Sequence, residues 1–106
     1  MIKILLCCSA GMSTSMVVQK MEKAAQQLAV ESKIDAVGME EFTEKLSDYD
    51  CCLLGPQIKY KLADFKKHAD ELNKPVAVIN TMDYGMLNGE KILRAAISLV
   101  ESHKGA

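Results

Sequence analysis

Cysteine residues are the first candidates for chemistry in this sequence, because a thiolate is both a strong nucleophile and a metal ligand. The four cysteines fall into two adjacent pairs, Cys7-Cys8 and Cys51-Cys52. Neither pair has the two-residue gap typical of zinc sites and thioredoxin-like motifs. We therefore predict no metal site and no cofactor. The sequence carries no recognisable export signal, so we expect a cytoplasmic protein, and disulfides are rare in that compartment.

The segment that begins at Cys8 is rich in small and hydroxyl-bearing residues. It reads Cys8-Ser9-Ala10-Gly11-Met12-Ser13-Thr14-Ser15 and lies between an apolar run and a helical pattern. Small residues let backbone N–H groups approach a ligand closely, and Gly11 can adopt the positive φ that tight loops often need. The start of a helix adds partial positive charge, for which Ser13 is the predicted N-cap. The segment therefore predicts an anion site of phosphate size.

A thiol beside such a site is expected to have a lowered pKa and to act as a nucleophile toward phosphorus. The predicted phosphate-binding residues are Ser9, Ala10, Gly11, Met12, Ser13, Thr14 and Ser15. The same pattern also fits a buried cysteine at a strand end, followed by a simple turn. From the pattern alone Cys7 competes with Cys8, because neighbouring strand residues face opposite ways.

The apolar periodicity predicts the elements that position this loop. Strand-like runs cover 2–8, 33–39, 51–54 and 75–79, and helical patterns cover 13–29, 40–46, 56–72 and 92–100. Strands that alternate with helices predict a parallel sheet covered on both faces. We expect a single three-layer α/β domain over residues 1–106, with a four-stranded sheet in the order 2-1-3-4. Low-molecular-weight tyrosine phosphatases likewise place a cysteine loop after the first strand.

Ligands in such sheets bind at the carboxyl ends of the strands. Two further segments follow predicted strands and should therefore border the Cys8 loop. They supply the predicted rim of the site, which consists of Gly55, Pro56, Gln57, Asp83 and Tyr84. Ordinary turn chemistry explains the same residues equally well. Packing is the simpler role for Met16, with docking as the alternative.

Composition excludes several classes of function. The 106 residues carry a formal net charge of −1, without the basic surplus expected of a nucleic-acid-binding protein. No apolar run reaches the roughly 20 residues needed to span a bilayer, so we predict no insertion into the membrane. We expect a monomer.

The whole chain resembles the IIB components of the lactose/cellobiose (chitobiose) family of the bacterial sugar phosphotransferase system. The resemblance lies in the opening segment from Lys3 to Ser15, in Leu53-Leu54-Gly55-Pro56-Gln57-Ile58, and in Pro75-Val76 and Asp83-Tyr84-Gly85. It implies that Cys8, rather than Cys7, accepts a phosphoryl group from a phosphohistidine of a IIA protein. The same cysteine then passes the group to a β-disaccharide or β-glucoside held by the IIC membrane component.

Two alternative functions use the same cysteine. A low-molecular-weight phosphatase needs an arginine where this chain has Thr14, and the sole arginine is Arg94. An arsenate reductase would use Cys8 together with Cys51 or Cys52 in a thiol redox relay. We predict instead that Cys51 and Cys52 are packing residues. The two histidines, His68 and His103, are predicted to be solvated.

Overall fold

The computed structural model describes residues 1–7 and 11–104, with side chains described at 1–7, 15–38 and 40–103. Four short strands in this part of the chain form one parallel sheet in the order β2-β1-β3-β4. Their bounds are β1 Ile2–Cys7, β2 Ser32–Val37, β3 Cys51–Leu54 and β4 Val76–Val78. Ile4 pairs with Ile34 on one side and with Cys51 on the other, so β1 is a central strand. The predicted α/β fold and strand order are confirmed.

Helices connect and cover these strands. They are α1 Gly11–Gln27, α2 Met39–Lys45, α3 Leu62–Glu71, α4 Thr81–Gly85 and α5 Gly89–Lys104. Two short 3-10 segments, Leu46–Asp48 and Pro56–Lys61, precede β3 and α3. Within the described part of the chain, none of the helices combines the length and the apolar character that crossing a membrane requires.

Side chains of β1 alternate between two separate cores. Ile4 and Leu6 enter the core formed with α1 and α5, whereas Leu5 and Cys7 enter the core formed with α2 and α3. Successive strand side chains point to opposite faces, which is why this run is almost continuously apolar. Full burial of one such aliphatic side chain contributes about 1.5–3 kcal/mol. Burial on both faces therefore holds β1 at the centre of the domain.

Three local predictions differ from the structure. Helix α1 begins at Gly11 instead of Ser13. The predicted loop from Asn80 to Gly89 contains α4, because the Asn80 side-chain oxygen accepts hydrogen bonds from the N–H groups of Met82 (2.9 Å) and Asp83 (3.2 Å). Such capping supports even a single turn of helix. The predicted helix over 56–72 is interrupted, because Ile58 has a non-helical backbone (φ −116°, ψ 25°) and α3 starts only at Leu62.

The prediction that both histidines are solvated holds only in part for His68, whose side chain is 32% exposed. Its ring packs edge-on against Phe42, with the ring centres 5.7 Å apart, and its Nε2 atom is buried. Phe42 also stacks on Phe65 at 4.3 Å, so His68 belongs to the edge of the α2/α3 core. His103 is partly exposed, and its Nε2 atom lies 3.0 Å from the carbonyl oxygen of Asn73, where it connects the end of α5 to the turn before β4.

Candidate functional site

The carboxyl ends of β1, β3 and β4 are joined by backbone hydrogen bonds that continue past the strands. The N–H group of Gly55 donates to the carbonyl oxygen of Cys7 over 2.8 Å, and that of Ile79 donates to Leu54 over 2.8 Å. The segments that leave these strands therefore start side by side, at the edge where parallel sheets bind ligands. Cys7, the residue directly before Cys8 in the chain, ends the central strand at this edge.

Part of the predicted site falls outside the described residues. These are Cys8, Ser9 and Ala10, together with the side chains of Met12, Ser13 and Thr14. Their roles remain predictions, whereas the backbone from Gly11 onward is described as the start of α1.

The backbone of the first turn of α1 bears on the predicted anion site. The N–H groups of Gly11, Met12 and Ser13 have no acceptor inside the helix. The turn carries no acidic side chain, so nothing in it neutralises the positive end of the helix dipole. Ser15 lies in the second turn, where an N–H group bonds to the carbonyl four residues earlier. Its predicted contribution to phosphate binding would therefore come from the hydroxyl group.

The other three cysteines are buried. Cys7 and Cys52 lie in the α2/α3 core and Cys51 lies in the α1/α5 core. Burial raises the pKa of the Cys51 thiol to about 12, and the nearby Asp50 carboxylate adds to the effect. Burial, and then Cys7 and Cys51, likewise raise the pKa of Cys52 well above its usual value. Cys51 and Cys52 thus remain protonated at neutral pH, as expected of packing residues and not of a redox relay.

We expect Cys51 and Cys52 to resist alkylation in the folded protein. Iodoacetamide reacts with thiolates, and a raised pKa keeps both thiols protonated through neutral pH. Peptide mass spectrometry should find neither residue labelled after treatment at pH 7.5, and both labelled once the chain is unfolded in guanidinium. Rapid labelling of either residue in the native protein would contradict this assignment.

Two of the five predicted rim residues are in direct contact. The Gln57 side-chain amide donates a hydrogen bond from Nε2 to the Tyr84 hydroxyl oxygen over 3.1 Å. Gly55 is buried at the end of β3, and Pro56 begins the 3-10 segment that carries Gln57. Asp83 lies at a groove between β4 and α5. The structure thus brings the segments after β3 and β4 together at the carboxyl edge of the sheet.

Exposed apolar side chains are concentrated on the segments that leave this edge. The exposed fractions are 51% for Met16 on α1, 72% for Tyr60 in the 3-10 segment, 73% for Met82 on α4 and 72% for Met86 directly after α4. The sequence patterns did not single out Tyr60, Met82 or Met86, and this exposure contradicts the packing role predicted for Met16. The spacing of Met82 and Met86, which places both on one side of a helix, is the signal that was available.

The single arginine of the sequence lies elsewhere. Arg94 on α5 forms an ion pair with Glu90, with 3.6 Å between Nε and the carboxylate oxygen. It lies beside Leu28 and Val30, which connect α1 to the amino end of β2. The Arg94 guanidinium is therefore at the opposite end of the sheet from the carboxyl end of β1.

Residues 3–95 match the family described as the lactose/cellobiose-specific IIB subunit of the PTS system. The chain belongs to this family. This IIB chain is 44% identical over 98 residues to the oligo-beta-mannoside-specific EIIB component of Bacillus subtilis (strain 168), covering 92% of this chain and 95% of the relative.

Two further proteins are informative. The solution structure of the cellobiose-specific phosphotransferase IIB component from Borrelia burgdorferi superposes with a TM-score of 0.81 at 37% identity, covering 96% of this chain and 94% of that one. The lactose-specific EIICB component of Staphylococcus haemolyticus (strain JCSC1435) is 26% identical over 98 residues, covering 92% of this chain but 16% of that protein. The family and the general class, a phosphotransferase component of a sugar transport system, are confirmed.

Proposed function

We propose that this IIB chain carries a phosphoryl group on Cys8, from a phosphohistidine of a IIA protein to a sugar held by a IIC membrane component. The observation that supports this role is that β1 ends at Cys7 and α1 begins at Gly11. The thiol therefore belongs to a short segment between a buried strand end and the positive end of a 17-residue helix. That setting favours a thiolate and binds an anion.

The chemistry consists of two displacements at phosphorus. In the first, the Cys8 sulfur attacks in line, the N–P bond of the phosphohistidine breaks, and the imidazole nitrogen keeps the electron pair and takes up a proton. In the second, a sugar hydroxyl oxygen attacks, the S–P bond breaks, and the hydroxyl proton is lost to solvent. The N–H groups of the first turn of α1 would hold the equatorial oxygens in both steps.

A carrier must also keep its phosphoryl group away from water. Phosphatases with a similar loop use an arginine fork and a general acid, which together stabilise the transition state for hydrolysis. In this IIB chain the arginine position is Thr14, and Arg94 pairs with Glu90 at the other end of the sheet. This arrangement favours a carrier over the phosphatase alternative.

We propose a class of sugar and not an individual sugar. The relatives above are named for oligo-beta-mannosides, cellobiose and lactose. We therefore infer that this IIB chain serves a β-disaccharide or β-glucoside and that IIC selects among these sugars. The EIICB name of the Staphylococcus haemolyticus relative supports IIC as the acceptor partner. On the basis of the same role, we propose that the chain acts in the cytoplasm.

The test is phosphorylation of the unaltered chain. Incubation with phosphoenolpyruvate, enzyme I, the histidine carrier and IIA should add one phosphoryl group by intact-mass spectrometry, and peptide mapping should place it on Cys8. Steady release of phosphate from p-nitrophenyl phosphate, without a phosphorylated form that accumulates, would favour the phosphatase instead.

We expect two exposed methionines, Met82 in α4 and Met86 directly after it, to contribute to docking of the IIA protein. A donor histidine must reach Cys8, so its protein has to cover this edge, where Met82 and Met86 are more than two-thirds exposed. Exposed apolar side chains of this kind mark protein contacts. The Met82→Ser/Met86→Ser variant should raise the KM for phosphorylated IIA about 10-fold, or about 1.4 kcal/mol of binding.

A matched variant separates docking from general surface effects. Glu22→Ser with Gln26→Ser alters two exposed side chains at the same spacing on α1. It should leave the KM for phosphorylated IIA unchanged. Equal KM values for the methionine variant and the unaltered chain would show that IIA docks elsewhere.

A further inference from the structure

The hydrogen bond between Gln57 and Tyr84 joins the two segments that follow β3 and β4. It runs from Gln57 Nε2 to Tyr84 Oη over 3.1 Å and connects residues 27 positions apart. Gln57 lies in the 3-10 segment after β3, and Tyr84 lies in α4 after β4. Because β3 pairs directly with β1, the Gln57 segment leaves the sheet beside the end of β1.

The Gln57 end of this contact is held to the strand that precedes Cys8. The N–H group of Gly55 donates to the Cys7 carbonyl over 2.8 Å, and that of Ile58 donates to the Gly55 carbonyl over 3.0 Å. Pro56, at the start of the 3-10 segment, fixes its own φ near the helical value. The backbone of Gln57 thus has little freedom relative to the end of β1.

The Tyr84 end is held to the body of the domain. Its ring packs against the α1/α5 core, and its N–H group donates to the Asn80 carbonyl over 2.9 Å. Asn80 in turn caps α4 through its side chain. Tyr84 is therefore a rigid acceptor that orients the exposed amide of Gln57.

A glutamine amide carries two N–H donors on one nitrogen. One of them is directed at Tyr84, which fixes the plane of the amide and leaves the second for another acceptor. We propose that Gln57 donates this second N–H to a nonbridging oxygen of the phosphoryl group on Cys8, and that Tyr84 is the positioning residue that orients Gln57. The inference rests on the proposed function, since the acceptor is the phosphoryl group itself.

A neutral amide suits a carrier better than a guanidinium would. Hydrogen bonds from charged donors are roughly twice as strong as those between neutral groups. The Gln57 amide would therefore help to align the phosphoryl group for transfer without the charge with which a phosphatase arginine promotes attack by water.

The test compares phosphoryl uptake from IIA in four variants. Gln57→Ala should lower kcat about 10-fold with little change in KM, a modest loss for an oxyanion donor because the side chain is exposed. Tyr84→Phe keeps the ring and removes the hydroxyl group, and it should lower kcat about 3-fold. Gln57→Ala/Tyr84→Phe should match Gln57→Ala alone, because Tyr84 acts through Gln57. Gln27→Ala, which removes an exposed glutamine at the end of α1, should leave kcat unchanged.

The outcomes separate the donor role from a structural one. An unaltered kcat in Gln57→Ala, with Cys8 still phosphorylated, would overturn the donor role and leave the proposed function intact. A further loss of kcat when Tyr84→Phe is added to Gln57→Ala would overturn the positioning role of Tyr84. If the unaltered chain takes up no phosphoryl group at all, the proposed function fails and the inference fails with it. Thermal melting of each variant checks that the fold is retained.

Discussion

Replacing Cys8 with serine is expected to abolish phosphoryl uptake from IIA. A serine hydroxyl keeps its proton at neutral pH, whereas a thiol at the positive end of a helix loses it readily and is the better nucleophile. No base adjacent to Cys8 is needed in the proposed mechanism, so a serine would remain unactivated. Intact-mass spectrometry should show a loss of at least about 10³-fold in uptake rate, comparable to removal of the nucleophile in other covalent enzymes.

Cys7→Ser is the matched control for that experiment. Cys7 is 1% exposed and lies in the α2/α3 core, so its thiol is not accessible to a partner histidine. The serine places a hydroxyl group in an apolar core, which should cost about 1–3 kcal/mol of stability, while phosphoryl uptake persists below the melting temperature. If uptake survived in Cys8→Ser but disappeared in Cys7→Ser, the phosphoryl group would be carried by Cys7, and the assignment to Cys8 would be wrong.

Gly89→Ala is expected to destabilise the whole domain. Gly89 begins α5 and packs directly on the backbone of α1, so an added Cβ would lie 2.3 Å from the carbonyl carbon of Lys20 and 2.6 Å from the nitrogen of Met21. Backbone atoms cannot move away by a rotamer change as the end of a flexible side chain can, so the two helices must separate. Overpacking of this kind typically costs about 1–3 kcal/mol. The melting temperature should fall by roughly 5–20 °C in a domain of this size.

The same substitution at a second glycine provides the control. Gly85, at the end of α4, has no atom within 4 Å of an added Cβ, so Gly85→Ala should change the free energy of unfolding by less than about 0.5 kcal/mol. Because α1 carries the predicted phosphate site at its first turn, Gly89→Ala should also slow phosphoryl uptake at temperatures where the protein is still folded. Identical melting curves for Gly89→Ala and Gly85→Ala would contradict the close helix contact.

Much of the fold was predictable from local patterns. The apolar run before Cys8 and the run from Cys51 to Leu54 predicted two of the strands, and alternation with helices predicted the sheet order. The features that the sequence did not predict are short ones without an apolar stripe. Helix α4 depends on a side-chain cap at Asn80, and the break at Ile58 depends on a single residue adapting its backbone to the core around it.

The sequence by itself determined the parallel sheet, the placement of Cys8 after its central strand and the family of the chain, because each depends on residues that are neighbours along the chain. Only the tertiary structure decided which core each buried cysteine enters, that Gln57 reaches Tyr84, and that Gly89 must fit against Lys20. Those contacts join residues far apart in sequence. Periodicity reports which face of an element is buried, whereas the packing of one element against another decides which distant atoms meet there.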